Sequence, residues 1–301
     1  MPLDDKMKFY KFSHHRKASR GFIVVAVLWM LAALATLAAI YALYVNVTAF
    51  ALVDYDDRLE AQGPAMAGVE LAVYELTASV RGQPSQGRFD FKLGRADVAV
   101  DFRSENGRVD LNFAPKELLI GLFTALGANR GDAEGYAERI IRWRTPPTSA
   151  TGNNEELFAS ADRPSTARRA PFQHVNEIGL VQGLPADLID RALPYLTVYS
   201  GQGEINVFSA PPEVLTALPG VTPERVQVVL SQREGASQDI LKAQFGMAAQ
   251  YVTVQPGRTN RVTVAVRSGN LRLQSEVVVI LLEGGTEPFR VLSWRDRIGE
   301  Q

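Results

Sequence analysis

From Phe22 to Val53 the chain runs for 32 residues without a charged side chain. A helix needs about 20 apolar residues to cross a bilayer, so this segment predicts a membrane span. Before it stand Lys6, Lys8, Lys11, Arg16, Lys17 and Arg20, against only Asp4 and Asp5. Basic flanks stay on the cytoplasmic side, which places residues 1–21 inside and everything beyond about residue 55 outside. As a helix rising about 1.5 Å per residue the run would measure about 48 Å, well beyond a hydrocarbon core of about 30 Å. The excess must be covered elsewhere. Leu59, Met66, Val69, Val73 and Leu76 continue at amphipathic spacing, so residues 54–81 predict a helix that packs on a globular head, with Gly63-Pro64 as a kink. Asp54, Asp56 and Asp57 read as a hydrated collar where the helix leaves the membrane.

The rest of the chain is ordinary folding material. With 301 residues, 46% hydrophobic and 22% charged, it can bury about two domains. A net charge of -1 offers no general attraction to nucleic acid or to an anionic membrane surface. The absence of cysteine removes disulfides and thiolate metal sites. The imidazoles are His14, His15 and His174, two of them before the span, so a histidine metal site or proton relay is nearly excluded. No GxSxG, HExxH or P-loop spacing occurs. Binding and assembly are therefore expected rather than catalysis.

The head reads as strands at both ends with helices between. Phe89 and Phe91, then Val98, Val100 and Phe102, then Val109 and Leu111 alternate as short antiparallel strands, making residues 82–112 the first part of a sheet. Tyr251 to Val254, then Val262, Val264 and Val266, Leu271 to Leu282 and Phe289 to Trp294 supply the remaining strands over residues 246–301. Ser268-Gly269-Asn270 is a hairpin turn. Residues 113–245 are mainly helical and weakly repetitive. Asn112-Phe113-Ala114-Pro115-Lys116-Glu117-Leu118-Leu119 is similar to Asn206 followed by Ala210-Pro211-Pro212-Glu213-Val214-Leu215. Each runs from a strand into a helix opened by proline. Three helical hairpins are expected to turn at Gly127, at Gly183-Leu184-Pro185 and at Gly220-Val221-Thr222-Pro223.

An ordinary signal peptide has a short apolar core and a small-x-small cleavage site. Here the apolar run is too long, and its near edge reads Ser19-Arg20-Gly21-Phe22. This resembles the processing site of type IV prepilins and pseudopilins. The resemblance implies that prepilin peptidase cuts residues 1–21 away after Gly21 and methylates Phe22, leaving a span over 22–53. A plain membrane anchor remains the alternative. Further along stand Gly107-Arg108-Val109-Asp110-Leu111-Asn112, Ile140-Ile141-Arg142-Trp143, and Val175-Asn176-Glu177-Ile178-Gly179-Leu180-Val181-Gln182-Gly183-Leu184. Tyr195-Leu196-Thr197-Val198-Tyr199, Ile205-Asn206-Val207 with Ala210-Pro211, and Val291-Leu292-Ser293-Trp294-Arg295 follow in order. Together these resemble the type II secretion system protein K family of minor pseudopilins along nearly the whole chain.

That resemblance implies an α+β fold. A long N-terminal transmembrane helix carries a pilin-like antiparallel sheet, interrupted by an inserted all-α domain of helix-hairpin-helix or SAM-like character. It implies a non-enzymatic role at the tip of a periplasmic pseudopilus. The partners would be proteins I and J, with H as a further candidate, besides prepilin peptidase and the inner membrane, and not nucleic acid. Most relatives carry glutamate at the fifth mature position, which here is Ala26. An amino terminus buried without an opposite charge is costly, so this subunit should cap a filament rather than enter beneath others. The family's calcium loop after Ile141-Arg142-Trp143 is altered: Arg142, Arg144, Thr145, Pro146 and Pro147 stand where acids are expected. Asn154, Glu155 and Glu156, with Asp162 further on, are the oxygen donors that could hold calcium there, the one cofactor in view. The Leu218–Val226 hairpin also resembles DNA-binding helical hairpins, but Arg225 and Arg233 sit among Glu213, Glu224 and Glu234. A pilus or DNA-uptake component and an anchored periplasmic enzyme are the rival readings.

Overall fold

The computed structural model describes residues 20–78, 83–146, 169–233, 235, 237–269, 271–284 and 286–299, with side chains left aside at 20–22, 46–60 and 298–299. The chain divides into two units, Met1–Arg58 and Leu59–Gln301. Helix α1, Arg20–Ala78, contributes to both and continues through Pro64 without ending there. In the first unit, Ile23–Val45 is long and apolar enough to cross a membrane, with a mean hydropathy of 2.7 and none of it buried. Trp29, Tyr41 and Tyr44 are exposed along it, as suits side chains that settle at a membrane interface.

In the second unit, the end of α1 lies on a five-stranded antiparallel sheet of order β1-β2-β7-β8-β9. The strands are β1 (Gln86–Leu93), β2 (Ala96–Ser104), β7 (Thr259–Ser268), β8 (Leu271–Leu281) and β9 (Phe289–Gly299). Alternation gives the sheet its buried face: Val98, Val100 and Phe102 of β2 and Val262, Val264 and Val266 of β7 meet Ala61, Ala65, Val69, Ala72, Val73 and Leu76 of the helix. Small residues on that helical stripe let it lie close to the sheet. A two-residue turn joins β1 to β2, and Gly94 within it and Gly269 directly after β7 take positive φ. The pairing of β8 with β9 shifts register between Val278 and Val279, a bulge in the last hairpin.

Between β2 and β7 lies a helical domain with its own core. Among the described residues its helices are α2 (Lys116–Ala125), α3 (Arg130–Arg144), α4 (Ala186–Ala192), α5 (Pro212–Thr216), α6 (Pro223–Gln232) and α7 (Gln238–Ala243). Gly127, Gly183 and Gly220 take positive φ at the three expected turns. Pro185 caps α4 and Pro223 opens α6, where the missing N–H costs nothing. The first arm of the middle hairpin is a 3₁₀ turn, Val175–Leu180, rather than an α-helix.

Two expected strands belong elsewhere. Val109 and Leu111 do not extend the main sheet: β3 (Val109–Asp110) pairs in parallel with β4 (Leu196–Thr197). Tyr251 to Val254 likewise supplies β6 (Val252–Thr253), parallel to β5 (Ile205–Asn206). Val109, Leu111 and Val252 are buried in the helical core with Leu118, Phe123 and Leu215. Antiparallel alternation cannot distinguish such two-residue pairs, whose partners are set by the core they close.

These two parallel pairs expose a stricter repeat than the sequence displayed, with Asp110 rather than Asn112 as the counterpart of Asn206. The Asp110 carboxylate accepts from the Asn112 N–H at 2.8 Å, and the Asn206 side-chain oxygen accepts from the Phe208 N–H at 2.8 Å. The Ala114 N–H donates to Asp110 O at 2.8 Å, and Ala210 to Asn206 O at 2.9 Å. On the partner strands, Thr197 Oγ1 accepts from the Tyr199 N–H and Thr253 Oγ1 from the Gln255 N–H, both at 3.1 Å. The same strand, side-chain turn and proline-started helix thus occur twice.

Candidate functional site

Some of the residues that carry the family resemblance, among them Gly107, Asp110, Thr197 and Asn206, lie at the joint between the sheet and the helical domain. A 3₁₀ turn, Glu105–Gly107, leaves β2 and is fully buried. Glu105 is 1% exposed. Its carboxylate accepts from Thr197 Oγ1 at 2.6 Å, across to the helical domain, and from Arg261 Nε of β7 at 3.0 Å. Arg261 also donates to Glu276 Oε1 at 2.5 Å. Burial alone would lower the Arg261 pKa, but the two carboxylates outweigh it and raise it. For Arg108 the balance runs the other way: burial, then the Arg261 charge, pushes its pKa down against the opposing Glu105 and Glu276 charges.

Amide side chains complete the joint. Asn106 Nδ2 donates to Gln202 Oε1 at 2.8 Å and to Gln255 O at 3.2 Å, while Asn206 Nδ2 donates to the same Gln255 O at 2.8 Å and to Ser85 Oγ at 3.2 Å. Ser104 Oγ donates to Asn106 Oδ1 and accepts from the Gly257 N–H. Gly107 permits a close approach, since a Cβ there would stand 2.5 Å from Ser209 Oγ and 2.7 Å from its carbonyl carbon. Asp110 is buried and accepts from Ser200 Oγ at 2.8 Å and the Gly201 N–H at 3.0 Å. Burial pushes its pKa up, and these bonds with that from Asn112 oppose the shift. Such a network fixes orientation.

Two arginines of the last helical hairpin close backbone carbonyls. Arg225 Nη1 donates to Gln244 O at 2.7 Å, and Arg233 Nη2 to Ala210 O. Burial lowers the Arg233 pKa to about 10. Arg144 closes carbonyls in the same manner, donating to Leu111 O at 2.7 Å and Ala114 O at 2.8 Å. These side chains tie helix ends together. Trp143 stacks on Phe172 with ring centroids 5.8 Å apart, and Asn112 exchanges two hydrogen bonds with the Phe172 backbone.

Gly21 and Phe22 lie within α1, their side chains outside the described set. Ala26 lies inside the exposed apolar stretch Ile23–Val45. The oxygen donors Asn154, Glu155, Glu156 and Asp162 lie outside the described residues, as do His14 and His15. Among the described residues no three histidine, aspartate or glutamate side chains gather as a metal site. Residues that sequence reasoning missed are Glu105, Arg261 and Glu276. An acid directly after an alternating strand was their only local signal.

The model of type II secretion system protein K matches residues 102–201. That range contains the joint turn, β3, α2, α3 and β4. No curated protein matches the sequence. Among solved structures, a chain in the crystal structure of the GspK-GspI-GspJ complex from the enterotoxigenic Escherichia coli type 2 secretion system is similar in fold. It has 19% sequence identity and a TM-score of 0.54, with 81% of this chain and 98% of that chain covered. That likeness extends the shared fold beyond the matched segment. Over residues 102–201, then, this chain is similar to type II secretion system protein K.

Proposed function

We propose that the chain is a minor pseudopilin that caps the periplasmic pseudopilus of a type II secretion system and helps start its assembly. The observation that carries this reading is the protein K match over residues 102–201, the segment that docks the helical domain on the sheet. Ile23–Val45 anchors the subunit in the inner membrane, with the basic residues before it in the cytoplasm and the head in the periplasm. Prepilin peptidase releases residues 1–21, leaving Phe22 methylated. Ala26 supports the tip position, because an apolar side chain there gives a neighbouring amino terminus no carboxylate to meet. The role is assembly, with no cofactor. Arg142, Arg144, Pro146 and Pro147 stand where the family's acids would begin a calcium site, which leaves only Asn154, Glu155, Glu156 and Asp162 for that purpose.

The partners are proteins I and J of the same system, the companions named in the similar complex, and H through them. Full-length chain co-expressed with tagged protein I and protein J is expected to be retained with them after detergent extraction. Retention by neither, with all three folded, would contradict the assignment. Stable retention by a pilus subunit instead would move the chain to a type IV pilus.

A further inference from the structure

The helical domain and the last strand of the sheet meet at an imidazole that cannot satisfy both its neighbours. His174 caps the 3₁₀ turn Val175–Leu180, with Nδ1 placed to accept from the Asn176 N–H at 3.1 Å. Its other nitrogen, Nε2, lies 2.7 Å from Arg295 Nη2 on β9. A guanidinium only donates, so both ring nitrogens face donors. A neutral ring carries one proton and can accept at only one of them. With the proton on Nδ1 the contact to Arg295 forms and the cap is lost; with it on Nε2 the cap forms and the contact is lost. The imidazolium can make neither.

We propose that the His174–Arg295 contact is an acid-released latch between the helical domain and β9, closed while the ring is neutral and opened by its protonation. The surrounding charges favour this. Glu276 is the cross-strand neighbour of Arg295, but its carboxylate also accepts from Arg261. Glu177, on the same turn, is the acid that favours the charged ring. Burial, then the Arg295 charge, holds the His174 pKa below its ordinary value. The sign follows from linkage: a histidine whose folded pKa is depressed contributes stability fully present above the unfolded value of about 6.5. That contribution is lost as pH falls through the folded pKa.

The test uses the full chain in detergent with His14→Gln and His15→Gln, which leaves His174 as the sole histidine. Its NMR titration is expected to show a midpoint below about 6.5, shifted upward in Arg295→Gln. On acidification, hydrogen exchange corrected for intrinsic rates should show loss of protection in residues 175–180 and 289–299, while 116–125 keeps its own. His174→Gln presents a non-titrating acceptor to Arg295 and should abolish that acid response. A midpoint at or above 6.5, protection that does not change with pH, or an acid response retained in His174→Gln would each overturn the latch.

Discussion

Replacing Glu105 by alanine is expected to cost about 3–5 kcal/mol of folding stability, the usual penalty for removing one partner from a buried ion pair. Glu105 is 1% exposed, and the Arg261 side chain is 13% exposed. Without the carboxylate, Arg261 Nε and Nη2 lose their acceptor, and Thr197 Oγ1 loses its acceptor across the joint. Glu276 remains, but it reaches only Nη1. For a chain of this size the loss corresponds to a fall in melting temperature of roughly 10 °C. Chemical denaturation of the full chain in detergent measures it directly. The exposed Lys92–Asp97 pair, 3.0 Å apart, provides the contrast: Lys92→Ala should cost less than about 1 kcal/mol. Equal effects from the two substitutions would show that the joint does not hold the head together.

The second large effect is expected where two helices touch backbone to backbone. A Cβ added at Gly121 of α2 would lie 1.8 Å from the Ala217 carbonyl oxygen after α5. No side chain can move to relieve that overlap, so the helices must separate. The face between them includes Leu118, Leu122, Val214 and Leu218, all buried. Alanine improves helix propensity by up to about 1 kcal/mol over glycine, while overpacking of this kind costs about 1–3 kcal/mol and occasionally more. Contact with backbone puts the cost at the high end, and Gly121→Ala should be net destabilising by about 2 kcal/mol. Gly135 of α3 meets nothing within 4 Å of an added Cβ, so Gly135→Ala should gain up to about 1 kcal/mol. Two substitutions of the same chemistry should thus act with opposite sign.

The parts of this fold written locally were legible before any coordinates. A charge-free run, period-two alternation and the glycine-proline punctuation of hairpins each arise from neighbours in sequence, and each reappears as α1, as β1, β2, β7 and β8, and as the turns at Gly127, Gly183 and Gly220. Pairings made at a distance were not legible. Glu105 and Arg261 are 156 residues apart, and nothing near either names the other. The parallel pairs β3–β4 and β5–β6 are two residues each, too short for any periodicity. The far half of β9 was missed because Arg295, Asp296 and Arg297 interrupt the apolar pattern, although Asp296 is engaged by Ser275 Oγ and Trp294 Nε1. The approach of His174 to the Asn176 N–H is local, but its second contact, to Arg295, depends on where β9 ends up.

The proposed assembly role depends first on whether the chain is processed as a pilin. The mass of the N-terminal peptide, from protein extracted out of membranes of cells with an active prepilin peptidase, decides this. The proposed role requires a peptide that begins at Phe22 and carries one methyl group on its amino nitrogen. A peptide that begins at Met1 under those conditions would contradict it and leave a simple membrane-anchored protein.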